Sequence, residues 1–534
     1  MQAGNPAIDA SPLIPSTDGA AEPSAPRAKP RPFSTALNPI KDADFGYVQA
    51  RHLLWRAGFG GTPGQINTLV KWGPQKSVDH LLNFEKVAAE PVTADRFDKD
   101  IIRPYNDEER GEIARARRSG NEEAVTRLRA SRQEAERLDR AQMRDVQHWW
   151  LKRMIETPRP LEERLTLFWH GHFATNYRSI ENSYHMYVQN QLFRQHAAGN
   201  FGKLLYAIIR DPAMLAYLNN NQSRKGRPNE NLARELMELF SLGVNNYSEG
   251  DIKEGARALT GYSFDDDTFE FQRNNHDGGV KVILGRRGTM DGDDFVTAIL
   301  ENPACPAFIA RKLYRSFVLD LPTGRKELDG PAQSVVGQLA STLSGGRYEV
   351  RPVLRRLLLS EHFYHPRVMN EQIKSPAQLV VGAVRSLNTP ARDLGTLSDA
   401  MGLMGQSIFF PPSVKGWDGG RSWINTATLF IRQNILCFLL TGKTPAGYDP
   451  LATQEPYDPS FLLEGLDVGS GGRLEPEAVA ERLLIFCLGK AETHNTQVLV
   501  KYMRGRKDAG TGVSRDTLVQ VLLLITAMPE YQLC

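Results

Sequence analysis

"NENLARELMELFSLG" runs from Asn229 to Gly243, and how its two faces are read decides the fold class. At about 100° per residue, Leu232, Leu236, Leu239 and Phe240 share one side. Asn231, Arg234, Glu235 and Glu238 gather on the other, within about a third of a turn. Pro228 and Asn229 suit a helix start, and Gly243 suits a left-handed stop. The polar face is either solvated and held by Glu230–Arg234–Glu238 pairs, or turned inward. Few lysines or glutamines dilute its carboxylates, so the expectation is a buried face. Glu235 and Glu238 would then lie within one side-chain length of His170 or His172.

Working outward, "HWWLKRMIET" stops at Pro158, and "PLEERLTLFWH" runs into Gly171. "FGKLLYAIIRDPAML", "RPVLRRLLLSEHFYHP" and "LVQVLLLITAMPEYQL" are further apolar helices ended by a bend, at irregular spacing that excludes a solenoid repeat. Thr62 and Pro63 open another helix as N-cap and first position. The plausible strands lie in "TFEFQRNNHDGGVKVILGRRG", residues 268–288, where β-rich runs flank a His-Asp-Gly-Gly turn. The fold class expected is mainly α: a multi-helical globular core with a small β-hairpin insertion.

Three regions follow from composition. Residues 1–40 are rich in Pro, Ala and Ser and read as a disordered tail. Residues 41–440 form the helical core, and 441–534 a helical region packed on it. Within the core, residues 106–144 are almost wholly charged and predict a solvent-exposed helical excursion stitched by ion pairs.

The chain of 534 residues carries 65 Lys and Arg against 62 Asp and Glu, a net +3 with no electrostatic footprint for nucleic acid. None of the four cysteines, Cys305, Cys437, Cys487 and Cys534, stands in a C-x-x-C pair. Cys437 and Cys487 read as small core hydrophobes. No basic-then-apolar leader opens the sequence, and no apolar run is long enough to span a bilayer. The expectation is a cytoplasmic protein that does not meet the membrane, with export left open.

His170 and His172, framed by Trp169 and Phe173, sit where a helix breaks at Gly171. In an extended segment they would point the same way, as metal ligands do. His276 and Asp277, in "NNHDGG", are further candidate ligands. Glu235, Glu238, Arg234 and Asn231 are the candidate catalytic groups. Carboxylates and imidazoles among helices suit iron, manganese or zinc. "FFPPSVKGWDGGRSWINTATL" (409–429) places Lys415, Trp417, Asp418, Arg421, Trp423 and Asn425 on a Pro/Gly-shaped loop. Such a loop suits the rim of a substrate site; the plain structural alternative makes its tryptophans core plugs.

There is no G-x-S-x-G, Walker loop, H-E-x-x-H or Rossmann glycine run. "HLLWRAGFGGTPGQI", "FWHGHF", "NENLARELMELFSLGVNNYSEGDIKEGARALTGY", "HDGGVKVILG", "FIARKLYRSFV", "KSPAQLVVGAVRSL" and "PPSVKGWDGGRSWINTATL" follow one another in order from about residue 47 onward. Together they resemble the bacterial family of domain of unknown function 1800. The resemblance implies a neighbouring protein of the alkaline phosphatase and sulfatase superfamily, and it carries no established catalytic residue. Two functions stay open: a metal-dependent enzyme using the His/Glu cluster, or a non-catalytic helical partner or chaperone of that sulfatase-like protein.

Overall fold

In the computed structural model the described residues are 33, 35–321, 330–443, 455–466, 474–506 and 513–534. Most of the expected disordered tail lies outside them. Its boundary at residue 40 falls late, because Leu37 and Ile40 are already buried and the Ile40 N–H donates to the Leu359 carbonyl at 2.8 Å.

Twenty-one α-helices and two small antiparallel sheets make up the described part, a mainly α fold. The charged stretch forms two helices, Asp107–Ser119 and Glu122–Glu156, joined at Gly120 in the left-handed conformation. Exposed pairs such as Arg110–Asp107 and Arg137–Glu134 decorate them. The second helix changes character along its 35 residues. From Asp139 onward it buries Met143, Val146, Trp150, Leu151 and Met154 in the core.

The β region differs from the single hairpin expected. β1 (Tyr262–Asp265) pairs with β2 (Thr268–Phe271), and β3 (Lys281–Ile283) with β4 (Arg286–Gly288). The His-Asp-Gly-Gly segment therefore joins two hairpins and is the turn of neither. Leu284 and Gly285 both have positive φ, the conformation a tight two-residue hairpin turn demands. Asp265 to Asp267 had hidden the first strand, since aspartates lower β propensity.

Of the C-terminal helices, Pro476–Leu488 packs on the helix Tyr47–Arg56, Thr493–Arg504 packs on Pro476–Leu488, and Arg515–Thr526 packs on Thr426–Thr441. Fully buried Arg51 donates to the Phe486 and Cys487 carbonyls at 2.6 and 2.5 Å. Leu533 bridges Ile373, and Lys374 Nζ donates to Tyr531 O at 2.7 Å, sandwiched between the Trp55 and Tyr531 rings. All four cysteines are free thiols. Among the described residues no helix is long and apolar enough to cross a membrane.

Candidate functional site

The helix Pro160–His172 starts with Pro at its first position and ends in an aromatic cluster. His170 and His172 lie on its last turn, not in an extended segment. Two residues apart on a helix is about 200°, so the rings diverge. His170 Nε2 accepts the Phe409 N–H at 2.9 Å, and its ring packs against Trp150, Phe409 and Trp417. Burial holds its pKa down to about 3. His172 Nε2 donates to the Phe240 carbonyl at 2.9 Å, and its buried Nδ1 has no partner among the described residues. Burial, with Lys312 adding to it, keeps this imidazole neutral.

Phe409 has φ +67°, a rare conformation for a bulky residue, and it opens the loop of interest. Its N–H goes to His170, and its carbonyl accepts the Tyr177 N–H at 3.0 Å. Further along, Gly416 (φ +79°) lies directly on the Gly171 carbonyl, where no Cβ would fit. That contact seats Trp417 on the end of the helix, 5.6 Å between its ring and that of His170, with its buried Nε1–H unpartnered among the described residues. Lys415 pairs with Asp418 at 2.5 Å, and the Asp418 carbonyl accepts from Arg315. Arg421 is exposed, Trp423 is buried as a core plug, and Asn425 caps the helix Thr426–Thr441.

The helix Ala304–Phe317 meets the same histidine pair, with the Phe308 ring 6.3 Å from that of His172. Phe308, Lys312 and Arg315, at i, i+4 and i+7, share one face of it. Lys312 Nζ lies 5.2 Å from the Phe308 ring centre, with no hydrogen bond or carboxylate among the described residues. Burial first, then Arg315 and Lys415, lower its pKa to about 8. Lys312 was missed at the level of sequence. The signal was in "FIARKLYRSF", where the buried Ile309, Ala310, Leu313, Tyr314 and Phe317 leave Lys312 beside the core face.

The family described as protein of unknown function (DUF1800) matches residues 52–533. The chain belongs to it. No curated protein and no solved structure matches the chain.

The remaining expected site residues in this family member are placed apart. The helix of the opening stretch spans Asn231–Glu238, shorter than the apolar stripe suggested. Its polar face is not buried: Asn231 is exposed, and Arg234, Glu235 and Glu238 are half-buried. Arg234 turns outward to Glu249 at 3.0 Å and Glu230 at 3.3 Å. Glu238 accepts from the Tyr247 hydroxyl at 2.7 Å. Burial, with Glu238 close by, raises the pKa of Glu235. No hydrogen bond joins either carboxylate to His170 or His172 among the described residues. A leucine stripe fixes which side faces inward, and the carboxylates follow on the flank. His276 donates through Nδ1 to the Thr260 carbonyl at 2.9 Å. Asp277 is clamped by Arg257 at 2.8 Å, which holds its carboxyl down to about 2.

These donors do not fit a metal ion. The Nε2 atoms of both helix histidines and the Asp277 carboxylate are already engaged. Among the described residues no group of three or more His, Cys, Asp or Glu converges on a point.

Proposed function

We propose that the protein is an enzyme for a small anionic substrate, bound where the loop Lys415–Asn425 meets the last turn of the helix Pro160–His172. Lys312 is its proton-transfer group. The observation that carries this reading is the state of Lys312: a half-buried amine beside two other cations, with no carboxylate of its own among the described residues. An amine with a pKa of about 8 is neutral in part at ordinary pH and serves as base or acid. An arriving anion would supply the missing counter-charge, and the unpaired Trp417 N–H offers it a hydrogen bond. Exposed Arg421 adds positive potential at the rim, while the charge of Lys415 is taken up by Asp418. Asn231, Arg234, Glu235 and Glu238 have no direct part in this reading.

Competitive acetylation read by mass spectrometry tests it. Lys312 should react with a midpoint near pH 8, against 10.5 for an ordinary lysine, and pyruvate or phosphate should slow its labelling. A midpoint in the ordinary lysine range, or labelling indifferent to both anions, would sink the proposal. The alternative, a non-catalytic partner of a sulfatase-like protein, predicts that indifference.

A further inference from the structure

At the N-terminal end of the helix Asn231–Glu238 is a cleft of about 680 Å³, whose lining does not include Lys312. That volume sits within the range of roughly 300–1,000 Å³ usual for small-ligand sites. One wall is a tight turn, Arg224-Lys225-Gly226-Arg227, with Gly226 at φ +80°. Arg224 and Arg227 face each other across it, exchanging both backbone hydrogen bonds at 2.8 and 3.3 Å. Residues so paired project their side chains to the same face, about 5 Å apart at Cβ. Both arginines line the cleft, and neither guanidinium has a hydrogen bond or ion pair among the described residues.

The turn is tied down on both flanks. Lys225 N–H donates to the Asn275 carbonyl at 2.7 Å, and the Ser223 carbonyl accepts from Gly261 at 3.1 Å. The lining also holds amides: Asn221 and Gln222 make no side-chain hydrogen bond among the described residues, Asn275 keeps its Oδ1 free of one, and Asn229 and Gln272 are engaged within the protein. Asn221 Oδ1 is buried with no partner among the described residues. The single acid of the lining, Glu230, is engaged by Arg234 at 3.3 Å, so the arginines keep an uncompensated charge. At the start of this helix the Asn231 N–H is taken by Asn229 Oδ1 at 2.9 Å.

We infer that this cleft binds a polyhydroxylated phosphate monoester, with Arg224 and Arg227 clamping the phosphate and the amide wall reading the hydroxyl groups. Guanidinium forks match oxyanions in pairs of parallel hydrogen bonds. Two unpaired cations, with Lys225 at the turn tip, suit a dianion better than a single carboxylate. Amides both donate and accept, which is what sugar-like hydroxyls require.

Titration calorimetry on the full chain tests this with glucose 6-phosphate, inorganic phosphate and gluconate. Glucose 6-phosphate should bind saturably and more tightly than the other two. Arg224→Ala with Arg227→Ala should weaken it by at least about tenfold, or 1.4 kcal/mol. Both arginines are exposed, so the variant should fold as the parent does. Lys312→Met should leave this binding unchanged, which separates the cleft from the recess. The inference is overturned by absence of saturable binding in the millimolar range, or by binding indifferent to the double substitution. Equal affinity for gluconate would overturn the phosphate assignment, and equal affinity for inorganic phosphate the role of the amide wall.

Discussion

His170 accepts a backbone N–H through Nε2, so its ring proton must sit on Nδ1 and the imidazole must stay neutral to keep that bond. Its pKa of about 3 lies below the 6.5 of an unfolded histidine. Between those values the unfolded chain takes up a proton that the folded chain refuses. Stability from this group is therefore whole above pH 6.5 and falls as pH drops, by up to about 1.4 kcal/mol per unit. His52 and His172, also buried and lowered, act in the same direction. His170→Gln should be less stable at neutral pH, yet lose about one proton of acid sensitivity between pH 6.5 and 4.5. Urea denaturation across that range checks it; an unchanged slope would contradict the neutral, buried assignment. That this residue matters was legible from its aromatic frame. Its partner was not, because Phe409 is 239 residues away and no local pattern announces a strained backbone N–H.

Among elements, the helix Pro160–His172 is anchored from behind by an ionic centre that its sequence did not advertise. Glu163 is fully buried and accepts from Arg153 at 2.5 Å, from Arg194 twice at 2.8 Å, and from Trp150 Nε1 at 2.8 Å. Burial would raise its pKa, but the two guanidiniums outweigh that and hold the carboxylate below its ordinary value. Trp150 also packs on His170, which links this centre to the site. Glu163→Gln should leave two cations underpaired and cost about 3–5 kcal/mol, measured by urea denaturation. A loss below about 1 kcal/mol would show that the centre contributes little. In "PLEERLTLFWH" nothing in the sequence pattern singles out Glu163. Its true partners come from two other helices, and helical periodicity cannot see across a core. Amphipathic stripes and caps, by contrast, were read correctly where the interaction is local, as at Thr62, whose side chain accepts from Gln65 N–H.

For the whole molecule, the mainly α class was legible because it follows from many independent apolar stripes. The first strand was missed because three aspartates masked it, and Lys312 because it stands on a separate helix that no local pattern joins to the helix-end histidines and the loop. The N-terminal boundary gives a direct check. Removing residues 1–32 should leave the melting temperature unchanged, since that segment has little to bury. Removing residues 1–40 should lower it by several degrees, because Leu37 and Ile40 leave the core. Equal melting temperatures would refute the docking of residues 37–40. The long helix Glu122–Glu156 carries a different consequence. It is one uninterrupted ladder of backbone hydrogen bonds, yet its first half meets mostly water and its second half meets the core. The exposed half can fray and re-form on its own while the half beyond Asp139 opens only with the molecule. A single rod thus spans two cooperative units, and the boundary between them lies within an element that looks continuous.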